Sequence, residues 1–112
     1  RYDKVYLQDI LESINVILEH IGEKTEFDFS QSLLLQDAVI RRLEIIGEAT
    51  AHLTSGLKNK HSEIKWKFLR NFRNELTHDY FGASSSTIYQ TIINDLPILK
   101  TRVESLLSQL KP

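Results

Sequence analysis

Apolar residues recur every three or four positions along nearly the whole chain, and a period of two is hard to find. Such spacing is typical of amphipathic helices, which turn one stripe of side chains toward a core. It predicts four helices, at about residues 3–21, 30–53, 64 or 66 to 80, and 87–110. Because the connections between them are short, we expect an all-α fold, an antiparallel four-helix bundle.

Glycine, serine and a hydrophobic pair indicate where the first helix ends and the second begins. Gly22 follows the first apolar stripe as a stop, and residues 23–28 are predicted to be a polar connection. Ser30 is the expected N-cap of the second helix, since a serine hydroxyl accepts a bond from a free backbone amide. Phe29 and Leu34 stand around it at the positions of a hydrophobic staple.

Later helix boundaries are indicated in the same way. Ser55-Gly56 should end the second helix, and residues 57–62 should form a polar loop. Pro97 lies inside the fourth helix and should kink or restart it, because proline has no N–H to donate. Asp95 is available as the new cap. The apolar residues expected to face inward from this helix are Ile88, Ile92, Ile93, Leu96, Leu99, Val103, Leu106, Leu107 and Leu110.

The second predicted helix is apolar on two sides. Val39, Leu43 and Ile46 mark its core face, and Ile40 and Gly47 flank a narrow polar stripe on the opposite side. A helix that is apolar on two sides usually has two partners, so the second partner could be another subunit. Alternatively, the stripe is a ladder of ion pairs facing solvent. The stripe consists of Asp37, Arg41, Glu44 and Glu48.

Composition narrows the class of protein. The length of 112 residues suits a single domain over residues 1–112. The lack of cysteine excludes disulfides, zinc–thiolate sites and thiol nucleophiles. A formal charge of −1 argues against a uniformly basic nucleic-acid binder but not against a local basic groove.

No apolar run reaches about 18 residues and no secretion leader opens the chain, so we expect a cytoplasmic protein. Because the chain lacks methionine, we expect its natural start to be missing through trimming or processing.

Residues 70–80 carry the candidate chemistry. This stretch holds two arginines, two asparagines, a histidine and a tyrosine within three helical turns. Asparagine and threonine are mediocre helix formers, so helix formation alone does not explain the composition. Asn74 and His78 share one helix face and Arg73 and Tyr80 another, with Arg73 and His78 about 140° apart. Arg73 and His78 can therefore reach the same groove only if the end of the helix lies beside that groove, or if a second surface closes over the groove.

Arg73 and His78 form a minimal set of groups for cutting RNA without a metal ion. A guanidinium holds phosphate through two bonds and offsets the charge that builds on the phosphoryl oxygens. His78 lies near a helix C-terminus, which favours the imidazolium, and can move a proton to or from the reacting oxygens. Tyr80 can orient the phosphate or stack on a base. In the structural alternative, these side chains only cap carbonyls and pack a rim.

The segment from Arg73 to Tyr80 reads Arg-Asn-x-x-x-His-x-Tyr. It resembles the signature of the HEPN superfamily, and in particular that of the HepT-like toxins. The resemblance covers essentially the whole chain, because residues 36–49 are similar to the second helix of that family. The other matching positions are Trp66, Tyr80-Phe81-Gly82 and Asp95-Leu96-Pro97.

The resemblance implies a four-helix-bundle homodimer whose paired motifs line a cleft at the interface. It further implies a metal-independent ribonuclease and toxin, whose usual partner is an MntA-like antitoxin with a minimal nucleotidyltransferase fold. Arg73 and His78 would be catalytic, and Asn74 would support them. Tyr80 would be a cleft residue and the acceptor of AMP groups that silence the toxin. The residues expected near the interface or cleft are Asp37, Arg41, Glu44 and Glu48.

The sequence departs from the family pattern at two positions near the motif. Lys65 stands before Trp66 where relatives often have proline, and Asp79 places a carboxylate between His78 and Tyr80. That carboxylate would raise the pKa of His78 or repel RNA phosphate, so it bears on the rate of cleavage.

Other candidate sites are weaker. Glu44, Glu48 and His52 follow one another at four-residue spacing, but no second histidine or known zinc pattern accompanies them, so we expect no metal. His20 and His52 are expected to be solvated helix residues. No glycine-rich phosphate loop is present, so we expect no cofactor, and any AMP transfer would fall to another protein.

The aromatic residues of the third predicted helix have two interpretations. Trp66, Phe68 and Phe72 could form a platform on which bases stack, but aromatic residues at helical spacing more often belong to the core.

Three functions follow from these observations. The leading hypothesis is a dimeric endoribonuclease toxin that acts on RNA by attack of the 2′-hydroxyl. The second is a non-catalytic helical partner of a nucleotidyltransferase, in which the motif binds the partner or presents Tyr80 for modification. The third is a structural bundle without an active cleft. Growth inhibition by the chain expressed alone would favour the first hypothesis over the second.

Overall fold

A computed structural model describes residues 2–79 and 84–110, and for residues 74–79 it describes the backbone alone. These residues form helices without any strand, which confirms the predicted all-α class for the described part of the chain. None of the described helices combines the length and apolar composition that a bilayer span requires. The helices are α1 (Asp3–Ile21), α2 (Glu26–Ser30), α3 (Leu33–His52), α4 (Ser55–Lys60), α5 (Trp66–Asp79), α6 (Ser85–Asn94) and α7 (Leu96–Gln109).

Helix α1 follows the sequence prediction from end to end. Its apolar stripe is buried, and it stops at Gly22, whose N–H donates to the carbonyl of Leu18 at 2.8 Å. Gly22 has φ of +49°, a left-handed conformation that a residue without Cβ adopts at little cost.

Two short helices replace segments that the sequence predicted to be irregular. In the expected connection 23–28, Thr25 and Asp28 form a reciprocal capping box that starts α2. In the expected loop 57–62, Thr54 caps α4 and its N–H and hydroxyl both donate to Asp3 of α1, at 2.9 and 2.6 Å. Ser55-Gly56 therefore begins a helix, and the predicted stop was wrong because α3 has already ended at His52.

The start of α3 also differs from the prediction. Ser32, not Ser30, is its N-cap and accepts a bond from the N–H of Leu35 at 3.1 Å. The predicted staple does not form, because Phe29 is buried in the core while Leu34 is 83% exposed. The earlier serine belongs to α2, which the sequence pattern had missed.

The predicted fourth helix is two helices, α6 and α7. Pro97 lies in the first turn of α7, where backbone N–H groups have no hydrogen-bond partner within the helix. Proline therefore costs no helical hydrogen bond there, and the helix restarts at this point as expected. Asp95 occupies the cap position, but its side chain makes no capping bond. Two core assignments were wrong: Ile93 lies beside the break and is exposed, and Leu110 lies after the end of α7 and is exposed.

Helix α3 lies between α1 and α5, and α1 also packs against α7. At Gly47 the approach of α5 is so close that an added Cβ would lie 2.4 Å from the backbone nitrogen of Arg73. The apolar flank of α3 at Gly47 therefore has its partner within the chain, and needs no second subunit there. The four-helix bundle and the dimer stay predictions.

Trp66 and Phe72 of α5 are buried, which favours the core interpretation of these aromatic residues, whereas Phe68 is partly exposed. The indole N–H of Trp66 donates to the carbonyls of Lys58 and His61, at 3.1 and 3.0 Å. Trp66 thereby caps the C-terminal end of α4 and fixes the point where α5 begins.

Candidate active-site groove

Arg73 is held by α3 at both its backbone and its side chain. Its backbone rests on Gly47, and its Nη1 lies 3.3 Å from Oε1 of Glu48, the next residue of α3. Both side chains are partly open to solvent, Arg73 at 41% and Glu48 at 53%. The guanidinium is therefore positioned by the protein and accessible to a ligand.

The second carboxylate oxygen of Glu48 has a partner as well. Its Oε2 lies 3.0 Å from Nε2 of His52, one turn further along α3. The His52 ring stacks on Tyr6 of α1, with centroids 5.1 Å apart and planes 12° from parallel. A continuous set of contacts thus runs from Arg73 on α5, through Glu48 and His52 on α3, to Tyr6 on α1.

These contacts set the charge state of Glu48. The hydrogen bond from His52 and the hydrogen bond from Arg73 lower the pKa of the Glu48 carboxyl below its ordinary value, against the opposing effect of desolvation. Glu48 is therefore ionised at neutral pH, and it presents a full negative charge to the guanidinium beside it.

The four residues border an open groove of about 640 Å³ on the surface of α1, α3 and α5. Arg41 and Glu44 form an ion pair in its wall at 3.8 Å. The groove combines two guanidinium groups with three carboxylates and one histidine, so it is polar, and its formal charge is −1 when His52 is neutral. Its lining residues are Tyr6, Asp9, Arg41, Glu44, Ile45, Glu48, Ala49, His52 and Arg73.

The structure brings together four of the residues that the sequence singled out. Arg41, Glu44 and Glu48 of the polar stripe line the groove with Arg73, whereas Asp37 is exposed on α3 outside it. The stripe is not simply a solvent-facing ladder, because Glu48 pairs across to α5.

The remaining predicted site residues fall outside what the structure describes. His78 lies in the last turn of α5, but its side chain and that of Asn74 are outside the described atoms. Tyr80 lies outside the described residues altogether. Their catalytic, supporting and modification roles stay predictions.

Sequence reasoning missed two aromatic partners of the groove. His52 is an exposed helix residue, as expected, but the prediction did not include its contacts with Glu48 and Tyr6. Its position four residues after Glu48 was a usable signal for the first contact. Tyr6 gave no local signal, because its contact depends on how α1 packs beside α3. Among the described residues, no group of three or more histidines and carboxylates is arranged to hold a metal ion.

Comparison with known proteins identifies the family. The family model described as "Ribonuclease HepT-like" matches residues 10–106. The chain is 41% identical over 106 residues to "Probable ribonuclease HepT" of Thermococcus cleftensis, which covers 95% of this chain and 96% of that protein. It is 35% identical over 106 residues to "Putative RNase TTE0752" of Caldanaerobacter subterraneus, covering 95% of each. No solved structure matches the chain.

A further relative is a longer protein. "Gamma-glutamylcyclotransferase and putative RNase MJ0434" of Methanocaldococcus jannaschii is 42% identical over 107 residues. The match covers 96% of this chain, which spans about half, 48%, of that relative. The chain belongs to the HepT-like ribonuclease family. This membership confirms the predicted family and agrees with the predicted enzyme class, a ribonuclease.

Proposed function

We propose that the chain is a metal-independent endoribonuclease toxin that acts as a symmetric homodimer of four-helix bundles. The observation that carries this proposal is the position of Arg73. In a chain of the HepT-like ribonuclease family, the motif arginine is seated on α3 and directed into an open polar groove. Residues 1–112 form one catalytic domain in this proposal, and two copies place their motifs on either side of a cleft.

The reaction is an internal transfer at phosphorus. The ribose 2′-oxygen attacks the adjacent phosphorus, a bond from phosphorus to that oxygen forms, and the bond to the 5′-oxygen of the next nucleotide breaks. His78 takes the proton of the 2′-hydroxyl or returns a proton to the leaving oxygen. Arg73 offsets the charge that builds on the phosphoryl oxygens. The products are a 2′,3′-cyclic phosphate and a free 5′-hydroxyl.

The other motif residues have supporting roles. Asn74 holds the reacting groups in place, and Tyr80 orients the phosphate or stacks on a base. Arg41 adds a second cation to the groove in which Arg73 lies. In the dimer, Asp37, Glu44 and Glu48 lie near the interface or the cleft.

The proposed regulation acts on Tyr80. The chain forms a type II or type VII-like toxin–antitoxin pair in the cytoplasm with an MntA-like nucleotidyltransferase. The nucleotidyltransferase transfers AMP to the Tyr80 hydroxyl, with pyrophosphate leaving from ATP. The added phosphate and adenosine place negative charge and bulk at the mouth of the cleft, which blocks RNA.

Cleavage of RNA in EDTA tests the catalytic proposal. The purified chain is incubated with total RNA and with transfer RNA, as wild type and as Arg73→Ala and His78→Ala. We expect both variants to lose cleavage while they keep the helical content of the wild type. An RNA with 2′-deoxyribose at the cut position should resist cleavage, because the attacking oxygen is missing.

Matched controls remove the same residue types elsewhere. Arg70→Ala lies on the same helix as Arg73, and His20→Ala lies near the end of α1, and both residues are exposed. These variants should cleave like the wild type. Equal cleavage by Arg73→Ala and His78→Ala would point to a contaminating nuclease and would remove the proposal. If the wild type sediments as a monomer at the assay concentration, the proposed cleft between two copies would be refuted.

Intact mass after co-expression with an MntA-like nucleotidyltransferase tests the regulation. AMP additions should appear on the wild type, disappear in Tyr80→Phe, and persist in Tyr2→Phe, which removes an exposed tyrosine at the other end of the chain. A chain that gains AMP and binds the nucleotidyltransferase, but neither cleaves RNA nor inhibits growth, would instead be a non-catalytic partner subunit.

A further inference from the structure

We propose that Glu48 is a positioning residue, which fixes the Arg73 guanidinium in one orientation and is itself fixed by His52 stacked on Tyr6. This inference deepens the proposed function and rests on it, since it gives Glu48 a role through the catalytic arginine. It rests on the contacts among Arg73, Glu48, His52 and Tyr6.

Helix α3 determines both the place and the direction of Arg73. Gly47 lets the α5 backbone approach closely enough to set where the Arg73 side chain starts. Glu48, its neighbour on α3, accepts from Nη1 and sets where the side chain ends. This contact restricts the rotamers of a long side chain that is 41% exposed.

The Glu48 carboxylate does not rotate freely. One oxygen faces Arg73 and the other faces His52, so the plane of the carboxylate is set by two partners on different helices. The His52 ring lies flat on Tyr6, which limits its rotation in turn. Orientation is thus transmitted from α1 to the guanidinium on α5.

Both members of the Arg73–Glu48 pair are partly solvated, and exposed ion pairs contribute little to the stability of a fold. A carboxylate in this groove also repels an incoming phosphate. Glu48 therefore helps neither stability nor RNA affinity to any large extent. Its contribution lies in holding Arg73 where charge develops during the reaction.

The contacts of Glu48 with Arg73 and His52 predict a particular kinetic pattern for Glu48→Gln, a substitution that keeps the size of the side chain and removes its charge. We expect kcat to fall at least about tenfold, because misplacing a reacting group by an ångström can cost about a hundredfold. KM should stay the same or decrease, since one negative charge has left the groove. The midpoint of thermal unfolding should stay close to that of the wild type.

Glu12→Gln is the matched control. Glu12 of α1 forms an ion pair with Arg42 of α3 at 3.7 Å, which is again a pair between two helices, and it does not line the groove. This variant makes the same change of charge and should leave kcat and KM unaltered. His52→Gln, which removes the stacked ring and keeps the Glu48 carboxylate, should lower kcat in the same direction by a smaller factor.

A measurement on the side chain itself accompanies the kinetics. The ¹⁵N–¹H signal of the Arg73 side chain, assigned by its loss in Arg73→Lys, should shift in Glu48→Gln and stay in place in Glu12→Gln. A signal that does not respond to Glu48→Gln would overturn the inference, whatever the activity.

The outcomes separate this inference from the proposed function. Wild-type kcat in Glu48→Gln, or a rise in KM alone, overturns the positioning role and leaves the ribonuclease assignment intact. A large drop in the unfolding midpoint also overturns it, because Glu48 would then be a structural residue. A wild-type chain that cleaves no RNA overturns the proposed function, and the inference with it.

Discussion

Gly47→Ala would place a methyl carbon 2.4 Å from the backbone nitrogen of Arg73, and 3.0 and 3.1 Å from its Cβ and Cα. The first of these neighbours is backbone, so it cannot rotate aside as a flexible side chain would. Ordinary contacts of a Cβ begin at 3.4 Å. Helices α3 and α5 must therefore separate by about 1 Å, or tilt to the same effect, which is overpacking of a close-packed contact.

Two opposing terms set the change in the free energy of unfolding. Overpacking of this kind costs about 1–3 kcal/mol. Alanine is favoured over glycine inside a helix by about 1 kcal/mol. We expect the clash to win, because the neighbour is backbone, and the variant to lose about 1–2 kcal/mol. For a chain of this length, such a loss lowers the midpoint of thermal unfolding by roughly 4–8 °C.

Circular dichroism at 222 nm during urea and thermal unfolding measures this loss. Gly56→Ala in α4 is the matched control, because an added Cβ at Gly56 meets no atom within 4 Å. It should be as stable as the wild type or more stable by about 0.5 kcal/mol. Cleavage of RNA should fall in Gly47→Ala by more than the loss of folded protein explains, since the contact with α3 that positions Arg73 has moved.

The opposite order of stability would refute the reasoning. If Gly47→Ala unfolded at the same urea concentration as Gly56→Ala, or at a higher one, the helices would not be in contact at Gly47. If Gly47→Ala lost stability but cleaved RNA at the wild-type rate per folded molecule, the position of Arg73 would not depend on this contact.

Three further changes test the core, a cap and a charge. Phe29→Ala removes the large, fully buried side chain of α2 and should cost about 3–5 kcal/mol, measured by urea unfolding. Trp66→Phe loses the N–H shared by the carbonyls of Lys58 and His61 and part of a buried ring, and should cost at least about 1 kcal/mol in the same assay. Because the hydrogen bonds from His52 and then Arg73 lower the pKa of Glu48, the native carboxyl binds its proton at lower pH than the unfolded one. The stability that Glu48 adds over Glu48→Gln, at most about 1 kcal/mol, should be present above pH 4.5 and vanish as pH falls through the lowered pKa, in unfolding curves at a series of pH values.

The long helices could be predicted from the sequence because each carries a stripe that spans several turns. The predicted bounds of α1, about residues 3–21, agree with the structure, since Gly22 supplies the stop that the stripe requires. The five residues of α2 and six of α4 are too few to show a period. The sequence signals for these two helices are their N-cap residues, Thr25 and Thr54. An N-cap forms a local hydrogen bond and leaves no pattern of apolar residues along the chain.

The groove could be predicted in part, for a similar reason. Arg41, Glu44 and Glu48 share one helix face, so their spacing along the chain is enough to place them together. Their meeting with Arg73 depends on the packing of α5 over Gly47, which spacing along the chain does not reveal. The family resemblance implied only that the stripe lies near the interface or cleft. The contribution of Tyr6 depends on the position of α1 relative to α3, about which the sequence around Tyr6 says nothing.

Trp66 gives the molecule a built-in optical probe. It is the single tryptophan of the chain, and its ring is buried where α4 meets α5. Its emission therefore reports on one junction of the native fold, without a dye and away from the polar groove. Spectral changes during heating can be assigned to the opening of that junction. RNA titrations can be followed at the same wavelength to learn whether ligand binding reaches the far end of the arginine-bearing helix.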